Sequence, residues 1–153
     1  MTTRICPLCN ADAVSDFHRD ARRPYLRCGT CDLVFVPASH CLSPAAERAR
    51  YDLHRNDPAD PGYRHFLDRL FQPMAGQLRP GSRGLDFGCG PGPTLSGMFE
   101  AAGHTVRLFD PFYAPDPCVW EECYDFITAS EVLEHLREPG RELARLRSHL
   151  KPG

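Results

Sequence analysis

Four cysteines and a handful of acidic residues beside glycines are the side chains here whose types and spacing could do chemistry. Cys6-Pro-Leu-Cys9 and Cys28-Gly-Thr-Cys31 form the pattern C-x2-C-x18-C-x2-C. Each tight turn presents two thiolates, and two such turns complete a tetrahedron, which is the ligand set of a structural zinc site. Four thiolates leave no open position on the metal, so its binding energy goes into folding. A redox pair would explain one C-x-x-C but not two. His18 and His40 then read as surface residues. Cys41, Cys89, Cys118 and Cys123 are scattered singly and read as free thiols of a reducing compartment.

A second constellation begins at Leu85-Asp-Phe-Gly-Cys-Gly-Pro-Gly-Pro93. Gly88, Gly90 and Gly92 let the backbone turn tightly after an apolar run and let a ligand approach with no Cβ in the way. Asp110 closes the next β-prone run, where a carboxylate can bond the vicinal hydroxyls of a ribose. The spacing G-x-G-x-G differs from the dinucleotide fingerprint, in which the third glycine falls one position later, and disfavours a nicotinamide-dependent oxidoreductase. Asp86, two residues before the first glycine, offers a carboxylate to a ligand amino group.

Glu131, Glu134 and His135 are spaced i, i+3, i+4, which on a helix would put them on one face. Two carboxylates and an imidazole could hold magnesium or another divalent cation and lower the pKa of an acceptor hydroxyl. The competing readings are a helix-terminal acid for Glu131 and a packed or general-base histidine for His135. Tyr51, His54, Asn56 and Tyr63 are further polar or aromatic candidates, for which surface or core placement is the simpler account.

The elements that must carry these residues follow from pattern. A zinc ribbon is expected over residues 1–41, with strand character at Tyr25–Arg27 and at Leu33–Val36. A helical linker or cap is expected over 42–80. In it, Ser43-Pro44 opens a helix running to about His54, and Asn56–Gly62 is a loop. Tyr63, Phe66, Leu67, Leu70, Phe71 and Met74 then share one helical face that Pro73 should kink or end. Residues 81–153 alternate strand and helix: strands at Gly84–Phe87, Thr105–Phe109 and Asp125–Thr128, and a helix carrying Leu95, Met98 and Phe99. Two more helices are expected, one over Ser130–Leu136 and one carrying Leu143, Leu146 and Leu150. That alternation predicts a parallel, doubly wound α/β sheet.

Composition sets the outer limits. With 42% apolar and 25% charged residues the 153-residue chain suits a folded globular protein. A net charge of −2 gives no nonspecific pull toward nucleic acid or anionic membrane. No run approaches a membrane span and residues 1–20 lack the apolar stretch of a signal peptide, so a cytoplasmic location is expected.

Asp86–Gly92, Asp110 and Tyr124-Asp-Phe-Ile-Thr-Ala-Ser-Glu-Val-Leu-Glu-His-Leu136 resemble class I S-adenosylmethionine-dependent methyltransferases, most closely bacterial members with an N-terminal zinc ribbon. The resemblance implies a Rossmann-like sheet, with Gly88, Gly90 and Gly92 beneath the methionine part of S-adenosylmethionine. Asp86 would hold its amino end, Asp110 its ribose, and Phe112 would pack on the adenine unless it is ordinary core. Glu131 and His135 would act on the acceptor, expected to be a small molecule. Glu131, Glu134 and His135 look like the Glu-x-x-Glu-His element of some metal-dependent O-methyltransferases. Two departures stand out. Fourteen residues between Asp110 and Asp125 are too few for a strand–helix unit, and the family continues past Gly153 into strands that complete the sheet. An incomplete sheet is therefore expected, open at one edge to self-association. The rival function is a non-catalytic or vestigial S-adenosylmethionine-binding domain joined to a ribbon that docks partners.

Overall fold

The computed structural model describes residues 4–53 and 57–152. Its first sheet is antiparallel, with order β1-β2-β3: β1 Val14–Arg19, β2 Pro24–Cys28 and β3 Val34–Phe35. β2 and β3 are the two runs that the sequence predicts. β1 is an addition, because Val-Ser-Asp-Phe-His-Arg lacks apolar alternation and all but Val14 are exposed. It is fixed instead by its turn, where Asp20 Oδ1 accepts from the N–H groups of Arg22 and Arg23, both at 2.7 Å.

Two helices follow. α1 spans Pro44–Tyr51, with Ser43 Oγ accepting from the Ala46 N–H at 3.3 Å and Pro44 at the first position. It stops short of the expected end at His54, and His54 and Asn56 lie outside the described residues. α2 spans Pro61–Ala75, capped by Asp60, and ends two residues after Pro73. Its Leu67 is buried against Leu95, Met98, Phe99 and Phe126.

The second sheet is parallel, with order β5-β4-β6: β4 Arg83–Phe87, β5 Thr105–Phe109 and β6 Phe126–Thr128. α3, Thr94–Ala101, packs on one face through Leu95, Met98 and Phe99. α4, Pro139–Ser148, brings Leu146 to the other face, onto Leu85, Phe87, Val119 and Tyr124. The chain between β5 and β6 adds no strand to this sheet among the described residues; it folds as a 3-10 turn at Pro117–Glu121 whose Trp120 packs on the rings of Phe87 and Phe109. The short spacing between Asp110 and Asp125 predicted as much. No helix among the described residues is long and apolar enough to cross a membrane.

Three expectations are corrected. Residues 130–136 are not a helix: Glu131 adopts a left-handed φ of 55°, and only Leu133–His135 make a single 3-10 turn. Leu150 lies beyond the last helix. The edge of the sheet beside β6 is not wholly open, since Tyr124 and Leu150 form a parallel bridge. There the Tyr124 N–H donates to His149 O at 2.8 Å and the Lys151 N–H to Tyr124 O at 2.9 Å.

Candidate functional site

β4 and β5 end side by side, and the loops leaving them enclose a cavity of about 510 Å3. That volume is typical of a small-molecule pocket, and its place at the carboxyl ends of parallel strands is where open α/β sheets bind ligands. Glu47 and Tyr51 of α1 and Tyr63 and Leu67 of α2 close it from one side. Residues 130–132, Leu136, Arg137 and the start of α4 close it from another.

Asp86 and all three loop glycines line the cavity. Gly88 and Gly90 have positive φ, 74° and 64°, which an L side chain tolerates poorly, while Gly92 is not left-handed. At Gly88 a Cβ would overlap the methyls of Val132; at Gly90 it would meet open space. The first glycine therefore serves packing and the second leaves room on the cavity side.

Asp86 is buried, with its Oδ1 2.8 Å from the Thr128 hydroxyl that donates to it. Burial pushes its carboxyl up to about 6, partly offset by the Thr128 bond. No ion pair reaches it among the described residues. Thr128 was missed in the sequence because its partnership depends on strand register, Asp86 opposite Thr128 across the β4–β6 pair.

Asp110 is also buried, and its carboxylate accepts three backbone N–H bonds: Gly90 at 3.1 Å, Phe112 at 2.8 Å and Tyr113 at 3.1 Å. It thus ties the glycine loop to the turn after β5. Phe112 lines the cavity with its ring 6.3 Å from that of Tyr51. Arg145 of α4 reaches the cavity while its guanidinium lies 3.5 Å from the centre of the Trp120 ring, a pairing the sequence did not reveal.

Glu131 and His135 line the cavity; Glu134 is exposed and outside its lining. His135 meets Tyr51 edge-on at 5.3 Å, and its Nε2 is 3.9 Å from Glu134 Oε1. Without a helix over 130–136 the three do not share a face. Among the described residues, the one group of metal-type side chains whose ligand atoms all lie within 4.8 Å of one another is Cys6, Cys9, Cys28 and Cys31. The expected cation site at Glu131, Glu134 and His135 is not assembled.

The four cysteines do fit a metal. Cys6 Sγ and Cys31 Sγ are 3.6 Å apart, as are Cys9 Sγ and Cys28 Sγ, close to the sulfur–sulfur edge of a tetrahedron with zinc–sulfur bonds of ~2.3 Å. The two turns are built alike. The N–H of Asn10 donates to Cys6 O and that of Asp32 to Cys28 O; Cys6 N–H then bonds Ala11 O, and Cys28 N–H bonds Leu33 O. Asn10 and Asp32 both sit at φ 61°, a left-handed position in which Asn and Asp are the favoured non-glycine residues. The same signal stands in the sequence as C-x-x-C-N and C-x-x-C-D.

No curated protein matches the chain. A family model described as a methyltransferase domain matches residues 55–153, which hold the glycine loop, both buried aspartates and the turn at Glu131–His135. With about two thirds of its length matched, the chain belongs to the methyltransferase-domain family.

Proposed function

We propose that this protein transfers the methyl group of S-adenosylmethionine to a small-molecule acceptor in the cavity at the ends of β4 and β5, and that a zinc ion held by Cys6, Cys9, Cys28 and Cys31 shapes its N-terminal ribbon. The observation that carries the first part is Asp86. A buried carboxylate that opens on a cavity and lacks a cationic partner among the described residues is costly unless a ligand brings the cation. The α-ammonium of S-adenosylmethionine would do so. Asp110 accepts three of about four bonds open to a carboxylate, which leaves one for a ribose hydroxyl. Phe112 is proposed to lie against the adenine, and the open side of Gly90 to admit the methionine portion.

When bound, S-adenosylmethionine supplies an electrophilic methyl group. The residues of the chain bind, orient and exclude water, and such alignment accounts for most of the rate in this kind of transfer. His135 is proposed to take the proton of the acceptor, and Glu131, also on the cavity wall, to act on the acceptor with it. A divalent cation is no part of the proposal, since Glu131, Glu134 and His135 do not converge.

Titration calorimetry with S-adenosylmethionine, its demethylated product S-adenosylhomocysteine, and NAD tests the reading. Binding of the first two and not of NAD is the expected result. Heat from NAD alone, or from none of the three, would overturn it. Binding without turnover of any acceptor panel would favour the rival, a non-catalytic ligand-binding module. For the ribbon, one zinc per chain is expected by elemental analysis, and none in Cys28→Ser.

A further inference from the structure

The ribbon approaches the wall of the cavity closely at Gly140. Glu138, at the N-cap of α4, gives no side-chain cap, so the first N–H groups of that helix need partners from elsewhere. The Gly140 N–H finds one in Pro7 O, at 3.1 Å. Pro7 and Leu8 are the two residues between Cys6 and Cys9, the first pair of proposed zinc ligands. A Cβ at Gly140 would overlap the Leu8 carbonyl oxygen and lie 2.9 Å from its carbon, and both atoms are backbone that cannot swing aside. Only glycine at this position lets the two backbones approach so closely.

Residues on either side of this contact along the chain are cavity wall. Arg137 and Glu138 just before Gly140, and Glu142 and Arg145 just after it, line the cavity. The shape of the Pro7–Leu8 backbone is set at both ends by cysteine thiolates and by the Asn10 N–H bond to Cys6 O. A metal that fixes those thiolates also fixes the carbonyl on which α4 begins.

We infer that Gly140 is a positioning residue through which zinc in the ribbon holds the cavity wall in its ligand-binding arrangement, so that the two sites are coupled rather than independent. This rests on the zinc and S-adenosylmethionine readings above. The first module is then no detachable handle: it is a strut for the start of α4.

The probe is S-adenosylhomocysteine, titrated into three forms of the full chain: zinc-loaded, chelator-treated, and zinc-loaded Gly140→Ala. Loss of one hydrogen bond of this kind corresponds to about a three- to tenfold weaker affinity. Such a loss is expected in both the chelated form and Gly140→Ala, with Gly140→Ala still carrying one zinc. Amide exchange at Arg141 and Glu142 should speed up in the same two forms. This second readout needs no ligand, and it guards against a variant that fails to fold, because the chelated wild type reports alone. Equal affinity and equal exchange in all three forms would overturn the coupling. Absence of binding in the zinc-loaded wild type would instead defeat the methyltransferase reading, leaving the exchange measurement to decide the coupling by itself.

Discussion

Asp86 carries its carboxyl at about 6 because burial disfavours the charge more than the Thr128 bond favours it. An unfolded aspartate titrates near 3.9. Between about pH 4 and pH 6 the folded chain therefore binds more protons than the unfolded one, and its stability falls as pH rises through that window, by an amount on the order of 3 kcal/mol. Ligand affinity should run the other way, rising from pH 5 to pH 7 as the carboxylate ionises to meet an ammonium group. Asp86→Asn is expected to melt at a higher temperature than wild type at pH 7 and to flatten the pH dependence of S-adenosylhomocysteine binding. Asp110 makes a contrasting case. Its three backbone bonds mean that Asp110→Ala should lower folding stability by about 1.5–3 kcal/mol, measured by denaturant unfolding, besides weakening the ligand. A variant that loses affinity at unchanged stability would show that those bonds contribute nothing to the fold.

Among the elements, those marked by local chemistry were legible and those fixed by distant partners were not. Ser43-Pro44, the glycine loop and the two C-x-x-C turns each state their geometry within a few residues. β1 is a strand because Asp20 closes its turn and β2 lies beside it, not because its side chains alternate. The segment at 130–136 has helical spacing, yet Val132 must pack over Gly88, and Glu131 turns left-handed as the chain delivers it there. The helix that the spacing predicts is therefore overridden by a contact more than forty residues away in sequence. Its correction has a sign that can be measured. At φ 55° a glycine avoids the cost of a left-handed L residue, so Glu131→Gly should gain roughly 0.5–1 kcal/mol in chemical denaturation. A helical Glu131 would instead lose about 1 kcal/mol on the same change. A loss of that size would restore the helix and, with it, the shared face of Glu131, Glu134 and His135.

For the whole molecule, the spacing between Asp110 and Asp125 already limited the sheet, and the structure adds how its edge is finished. Tyr124 is bonded on its outer side by residues 149–151, which partly answers the open edge that the sequence predicts. Past Tyr124 that cover stops: Phe126, Ile127 and Thr128 pair with β4, and no second strand flanks them among the described residues. Leu150, beside Tyr124, is 40% exposed. An unpaired parallel edge next to an exposed leucine is a template for a strand from another chain. We therefore expect the 153-residue polypeptide to self-associate through β6 in a concentration-dependent way. A lysine at the edge blunts such pairing, so Leu150→Lys should shift the population toward monomer without loss of the Tyr124 bridge, which uses backbone atoms only. Light scattering across a concentration series reads the association, and amide exchange reads the edge. If the wild-type chain stays a monodisperse monomer with slowly exchanging amides at Phe126 and Ile127, the three-stranded sheet is self-sufficient and the bridge at Tyr124 is all the cover its edge requires.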